Sequence, residues 1–291
     1  MAKLEKTGSA STAILVLGMH RSGTSAVTRV LNLLGANLGD DLMPPGPDNP
    51  GGFWEHREVV AIHDRLLADL GMAWDDPRPL PEGWLTSPSA GVALAALSSL
   101  IDREFARSPF WAVKDPRMCR FVPLWATLLT RKGIAVKALV VTRSPVEVAR
   151  SLHRRDGLPE GVGQLVWARY LLDLVEGIST LPSAVLSYDA LMDDWRTALA
   201  DIGNALALPL DVTGEAAPAI DAWLAPQLRH HKAGWPSRAA EAPLVFPLTQ
   251  AIERDCVRED PWRASVAAFE AMRAPTRSAL YGLASRRSAP R

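Results

Sequence analysis

Cysteine is almost absent: 291 residues carry only Cys119 and Cys256. Two such distant residues build neither a disulfide framework nor a clustered zinc site. Both are expected as packing residues in a reducing, cytoplasmic compartment. An excess of either charge is missing too, because 32 Lys plus Arg balance 32 Asp plus Glu. No overall basic field draws the chain to nucleic acid or to an anionic membrane, so any anion must be held locally. Long apolar runs are also lacking. Nothing approaches the ~20 residues of a membrane-spanning helix, and Ala13–Leu17 is too short for a signal-peptide core.

What remains is the composition of a globular α/β protein, 48% hydrophobic and 22% charged, long enough to bury a large core. Short apolar runs at Ala13–Leu17, Phe110–Val113, Val136–Val141 and Ala184–Leu186 read as buried parallel strands. Between and after them lie helical patterns at Ser25–Leu34, His56–Leu70, Gly91–Arg107, Pro123–Arg131, Pro145–Arg154, Gly163–Gly177 and Ala190–Leu206. Gly35, Gly71, Gly133 and Gly177 stand where these patterns stop. The alternation predicts a three-layer α/β fold with a mainly parallel central sheet flanked by helices. The chain divides into a flexible N-terminus (1–11), one domain (12–235), and a C-terminal helical extension with a basic tail (236–291), the extension holding a predicted helix at Trp262–Met272. Gly39–Gly52, rich in Pro and Gly, reads as a long functional loop.

Gly18-Met19-His20-Arg21-Ser22-Gly23-Thr24-Ser25 follows the first strand and opens the first helix, with the G-x-x-x-x-G spacing of a phosphate-binding loop. In that setting successive backbone N–H groups and the helix dipole converge on one anion. A nucleotide triphosphatase would place Lys at position 24. Here Thr24 stands there, and the cation comes three residues earlier as Arg21. A strand–helix turn whose glycines serve only packing is the plain alternative.

The run His20-Arg21-Ser22-Gly23-Thr24-Ser25 resembles the 5′-phosphosulfate loop of sulfotransferases that use 3′-phosphoadenosine 5′-phosphosulfate (PAPS). The resemblance implies that Arg21 sits by the bridging oxygen and stabilises charge growing on the leaving phosphate. It continues downstream: Thr142-Arg143-Ser144-Pro145 ends the third strand, and Ser151 follows Arg143 by eight residues. That pair is similar to the family's 3′-phosphate site. Arg143 offers a bidentate fork at the sheet edge and Ser151 a hydroxyl two turns along the helix. Tyr188-Asp189-Ala190-Leu191 resembles a segment after a later strand of the family and is read as a fold marker, with Asp189 as helix N-cap. The resemblance runs from about Ala13 to Leu206. A Gly- and Lys-rich C-terminal loop seen in some members has no good copy here, and Leu228–Trp235 is a possible substitute.

Sulfuryl transfer needs a positioned hydroxyl, a base and cationic donors, and the resemblance implies PAPS as co-substrate, PAP as product and no metal. Glu55, where the long loop enters a helix, resembles the carboxylate base of carbohydrate and protein-tyrosine members. His56 and His63 are its rivals, and Glu55 as a plain helix-start acid is the bland reading. Lys114 and Arg117, at the end of the second strand, are assigned to the acceptor or the sulfuryl group, or else they pair with local acids. Trp54, with Trp74 and Trp84, falls in or near irregular chain where an aromatic ring can stack on a sugar, with core packing as the plain alternative. The expected acceptor is a hydroxyl of a glycan or glycolipid. Competing readings are a P-loop kinase, with Asp115 holding Mg²⁺, and a nucleotide-binding module without catalysis.

Overall fold

The computed structural model describes residues 11–224 and Ser237. The C-terminal helical extension, its helix at Trp262–Met272, the Leu228–Trp235 segment and Cys256 lie outside the described residues, apart from Ser237. Among the described residues no helix is long and apolar enough to cross a membrane.

Four strands, β1 (Thr12–Leu17), β2 (Phe110–Lys114), β3 (Ala135–Thr142) and β4 (Ser183–Ser187), form one sheet in the order β2-β1-β3-β4. Every pairing is parallel; Val16 lies opposite both Lys114 and Leu139. Strands this apolar need cover on both faces. Ala13, Leu15 and Leu17 enter one core, against α2 (Arg57–Asp69), α3 (Pro88–Glu104), α4 (Met118–Arg131), α5 (Pro145–Asp156) and α6 (Glu160–Ile178). Their neighbours Ile14 and Val16 enter the other, with α1 (Thr24–Leu33), α7 (Tyr188–Asp193), α8 (Trp195–Leu206) and α9 (Ala217–Trp223). The period-two alternation of a strand thus feeds two helical layers, and the three-layer fold follows.

Three local expectations need correction. The α4 helix starts at Met118 rather than at Pro123, because a break at Phe121 (φ −115°, ψ 16°) absorbs the proline two residues on. Ala190–Leu206 is two helices rather than one, split at Asp194, whose carboxylate accepts from the Thr197 N–H and caps α8. Gly177 does not stop a helix. It lies inside α6, where a Cβ would come within 2.7 Å of Val122, so the glycine permits close helix packing.

Cys119 does more than fill space. Its Sγ accepts the Gly18 N–H at 3.1 Å, tying α4 to the end of β1 across 101 residues of sequence. Burial pushes its thiol well above the usual range, so it stays protonated. Cys119→Ala should strand a buried N–H and cost about 1–3 kcal/mol in chemical denaturation, with Cys119→Ser, which keeps an acceptor, recovering part of it. Equal stability of wild type and Cys119→Ala would remove this bond from the account.

Candidate active site

The loop after β1 is shaped by two close approaches. A Cβ on Gly18 would lie 2.6 Å from the Val141 carbonyl oxygen, and one on Gly23 would lie 2.2 Å from the Tyr188 ring. Gly23 also has φ 92°, which favours glycine. Between them Arg21 takes φ 68°, a conformation that costs energy for a residue with a side chain and marks functional turns. Helix α1 then begins after Gly23, its N-cap, with no side-chain cap and no acid in its first turn. Its first N–H groups and dipole are left facing an open cleft.

That cleft, about 820 Å³, runs along the C-terminal edge of the sheet. His20, Arg21, Gly23, Thr24 and Ser25 line it from the loop; Ser22 does not, its hydroxyl being buried without a partner among the described residues. Six cationic side chains, Arg21, Lys114, Arg117, Arg143, Arg154 and Arg155, face two carboxylates, Asp48 and Glu55. A chain without net charge therefore concentrates positive field in one place.

On the β3 side, Arg21, Arg143 and Ser151 form one cluster. Arg21 Nε donates to Ser151 Oγ at 2.9 Å, and Arg143 Nη1 donates to the Arg21 carbonyl at 3.3 Å. Glu147, one turn into α5, accepts from Arg143 Nε at 2.6 Å, and the Arg143 guanidinium lies 4.7 Å from the centre of the Tyr188 ring. Burial and nearby Arg155 lower the pKa of Arg21, and Asp48 opposes them with an ion pair at 3.6 Å.

On the β2 side, Lys114 Nζ donates to Ser25 Oγ (3.0 Å), the Phe53 carbonyl (2.9 Å) and Glu55 Oε1 (2.5 Å). Ser25 Oγ also accepts from Asn49 Nδ2 at 3.2 Å, so two acceptances leave its hydroxyl proton for another partner. Glu55 is 6% exposed, and its second oxygen, Oε2, is buried without a partner among the described residues. Burial raises the Glu55 pKa, and Lys114 pulls it part of the way back. A desolvated carboxylate on a residue that lines the cleft has the raised proton affinity that suits a base.

The remaining predicted residues divide sharply. His56, next to Glu55, does not line the cleft: it is 2% exposed, and its Nε2 lies 3.8 Å from Glu104. The extended backbone at the start of α2 sends adjacent side chains to opposite sides. His63 is fully buried; Trp125 Nε1 donates to its Nε2 at 2.9 Å, which places its own proton on Nδ1, donated to Asp115 at 2.8 Å. Asp115 Oδ1 accepts from the N–H and Nη1 of Arg117. Burial pushes the Asp115 carboxyl up, but Arg117 and His63 outweigh it and hold it below the usual range. Arg117 lines the cleft, held by Asp115 and by an ion pair to Asp64. Trp54 is outside the cleft, edge-on to Trp223 and beneath Arg29. Trp84, partly buried, packs against the core at Phe121. Of the three tryptophans, Trp74 alone lines the cleft.

Solved sulfotransferase structures resemble this chain. The sulfotransferase domain from the curacin biosynthetic pathway has 17% identity and a TM-score of 0.43, over 82% of this chain and 98% of that one. The sulfotransferase domain from the Synechococcus PCC 7002 olefin synthase has 15% identity and a TM-score of 0.45, over 93% and 98%. Sulfotransferase STF9 from Mycobacterium avium has 15% identity and a TM-score of 0.43, over 86% and 78%. No protein-family model matches the chain, and no curated protein matches it.

Several residues at the site were not singled out from the sequence as ligand contacts. Tyr188, read as a fold marker, forms part of the cleft wall beneath Arg143 and against Gly23. The cap of α7 is Ser187, which accepts from the Ala190 N–H, rather than Asp189. Asp48 and Asn49 fold back from the long loop onto Arg21 and Ser25. The clustering of Pro and Gly around them was the available signal, since such a loop approaches a backbone closely.

Proposed function

We propose that this chain is a PAPS-dependent sulfotransferase that transfers a sulfuryl group to a hydroxyl of a glycan or glycolipid. The observation that carries the reading is one cleft in which an uncapped helix start stands between the Arg21–Arg143–Ser151 cluster and the Glu55–Lys114 pair. The loop and the Arg143–Ser151 spacing resemble the family's two phosphate sites, and the fold brings both to the same cleft. A donor with a 5′-phosphosulfate and a 3′-phosphate has anionic groups for both.

In this reading the acceptor oxygen forms a bond to sulfur while the bond from sulfur to the bridging oxygen breaks. The acceptor proton goes to Glu55 Oε2, and the electron pair of the broken bond stays on the departing PAP. The first N–H groups of α1 and the Arg21 guanidinium oppose the negative charge that grows there. Lys114 keeps Glu55 oriented through Oε1 and supplies a cation beside the migrating group. Ser22 serves the turn, and Thr24 and Ser25 serve the anion site.

The kinase reading loses its metal-binding acid. Asp115 is fully buried, and both of its oxygens already accept hydrogen bonds from protein donors, His63 and Arg117. A module without catalysis has no use for a desolvated carboxylate in its cleft.

Calorimetry in EDTA should show PAP binding with no added metal. Tight binding of ATP with Mg²⁺ alone would restore the kinase.

A further inference from the structure

Trp74 lies in irregular chain, yet its segment is tied down by hydrogen bonds from buried side chains. Its carbonyl accepts from Tyr170 Oη at 2.7 Å. Just beyond it, the fully buried guanidinium of Arg120 donates to the carbonyls of Asp76 (3.2 Å) and Arg78 (2.6 Å), while its Nε is held by Asp173 at 3.0 Å. Burying a charge is costly unless it is paired and hydrogen-bonded, and Asp173 with the two carbonyls meets that condition for Arg120. The Trp74 ring it positions faces the cleft.

Two polar groups stand against that ring, and a third lines the same cleft. The His20 imidazole meets it edge-on, with ring centres 4.8 Å apart, and the Arg155 guanidinium lies 5.3 Å from the ring centre. Arg117 shares the same lining; its Nη1 hydrogen bond to Asp115 and its Nε ion pair with Asp64 set its orientation and leave Nη2 without a partner among the described residues. His20 Nε2 is buried in the cleft wall and has no partner among the described residues. Burial, then Arg117 and Arg155, push the His20 pKa well below the usual value, so the ring is neutral. A buried ring nitrogen left unpaired in a cleft wall is a group awaiting a ligand.

We propose that Trp74, His20, Arg117 and Arg155 form an acceptor subsite for a hydroxylated ring that carries an anionic group. The flat apolar face of Trp74 suits a sugar or aromatic ring. The neutral His20 pairs with a hydroxyl of that ring, and the two arginines meet its carboxylate, sulfate or phosphate. This assignment rests on the sulfotransferase reading and adds the class of acceptor. It also moves His20 from the donor to the acceptor.

The test uses PAPS with two pairs of probes that differ chiefly in charge. The sugar pair is 4-nitrophenyl β-D-glucuronide and its methyl ester; the aromatic pair is 4-hydroxybenzoate and its methyl ester. In at least one pair the anionic probe should exceed its neutral partner in kcat/KM by roughly tenfold or more, the scale of one charge-assisted contact. Which pair responds identifies the ring. Arg155→Gln should abolish that preference, and Trp74→Ala should raise KM for both members, each with PAP affinity unchanged by calorimetry. Should Trp74→Ala lose PAP binding, Arg155→Gln, at a partly exposed side chain, carries the test by itself. Equal use of charged and neutral probes, no transfer to either anionic probe, or a fall in PAP affinity with Arg155→Gln overturns the subsite. Failure of the wild type to bind PAP overturns the sulfotransferase reading instead.

Discussion

Glu55→Gln should bind PAP as the wild type does and lose at least ~10²-fold in kcat, the usual scale for removing a general base. The amide keeps the size and polarity of the side chain and an oxygen for Lys114, so the cleft should keep its shape. What goes is the basic Oε2, buried and without a partner among the described residues. His56→Ala should change kcat far less, because its ring packs towards Glu104 rather than into the cleft. His63→Ala should act mainly on stability, since His63 ties Asp115 to Trp125 in the core. Normal turnover by Glu55→Gln together with a dead histidine variant would move the base to that histidine.

The same residue sets a pH dependence. Burial raises the Glu55 pKa, so the basic form is depleted as pH falls through a value above that of an ordinary glutamate. The acid limb of kcat/KM should lie correspondingly high. Lys114 opposes the effect of burial, so Lys114→Met should move the limb to still higher pH, besides lowering the rate. A limb that stays in place in Lys114→Met would separate the observed titration from Glu55.

The residues legible in the sequence are those whose chemistry is local. The G-x-x-x-x-G spacing answers to the backbone geometry of a turn, Gly23 at φ 92° included, and the apolar strands to burial on both faces. These can be read without knowing what lies opposite. Arg143 and Ser151 share one strand-to-helix segment, Arg143 just before α5 and Ser151 on it, so their spacing could be read locally, but it is Arg21, from the loop after β1, that joins them in one cluster. Glu55 and His56 show where this stops: they are neighbours in sequence, both titratable, and only the path of the long loop decides which one faces the cleft. Trp54 and Trp74 repeat the lesson. Nothing nearby marks Trp74 as the wall, because Arg120 and Tyr170, more than forty residues away, hold its segment. The Cys119–Gly18 bond, across 101 residues, is equally silent in composition and spacing.

Arg143→Ala separates donor recognition from loop support. If Arg143 reads the 3′-phosphate, the variant should lose about 1.5–3 kcal/mol of PAP affinity, the worth of a charge-assisted contact and roughly ten- to a hundredfold in Kd. Adenosine 5′-phosphosulfate lacks that phosphate and should lose much less. The contrast is needed because Arg143 is also a prop: its Nη1 holds the Arg21 carbonyl, and its guanidinium covers the Tyr188 ring that closes over Gly23. A prop that fails disturbs the phosphosulfate loop and weakens every ligand of that loop alike. Arg143→Lys sharpens the distinction, since it keeps the charge and gives up the planar fork and its pairing with Glu147. For a 3′-phosphate reader, PAP affinity in Arg143→Lys should fall between those of wild type and Arg143→Ala, with adenosine 5′-phosphosulfate little changed. Equal losses for both ligands in both variants would mark Arg143 as a support for Arg21, and the 3′-phosphate would have to be sought at another of the cleft's arginines, Arg154 on α5 first.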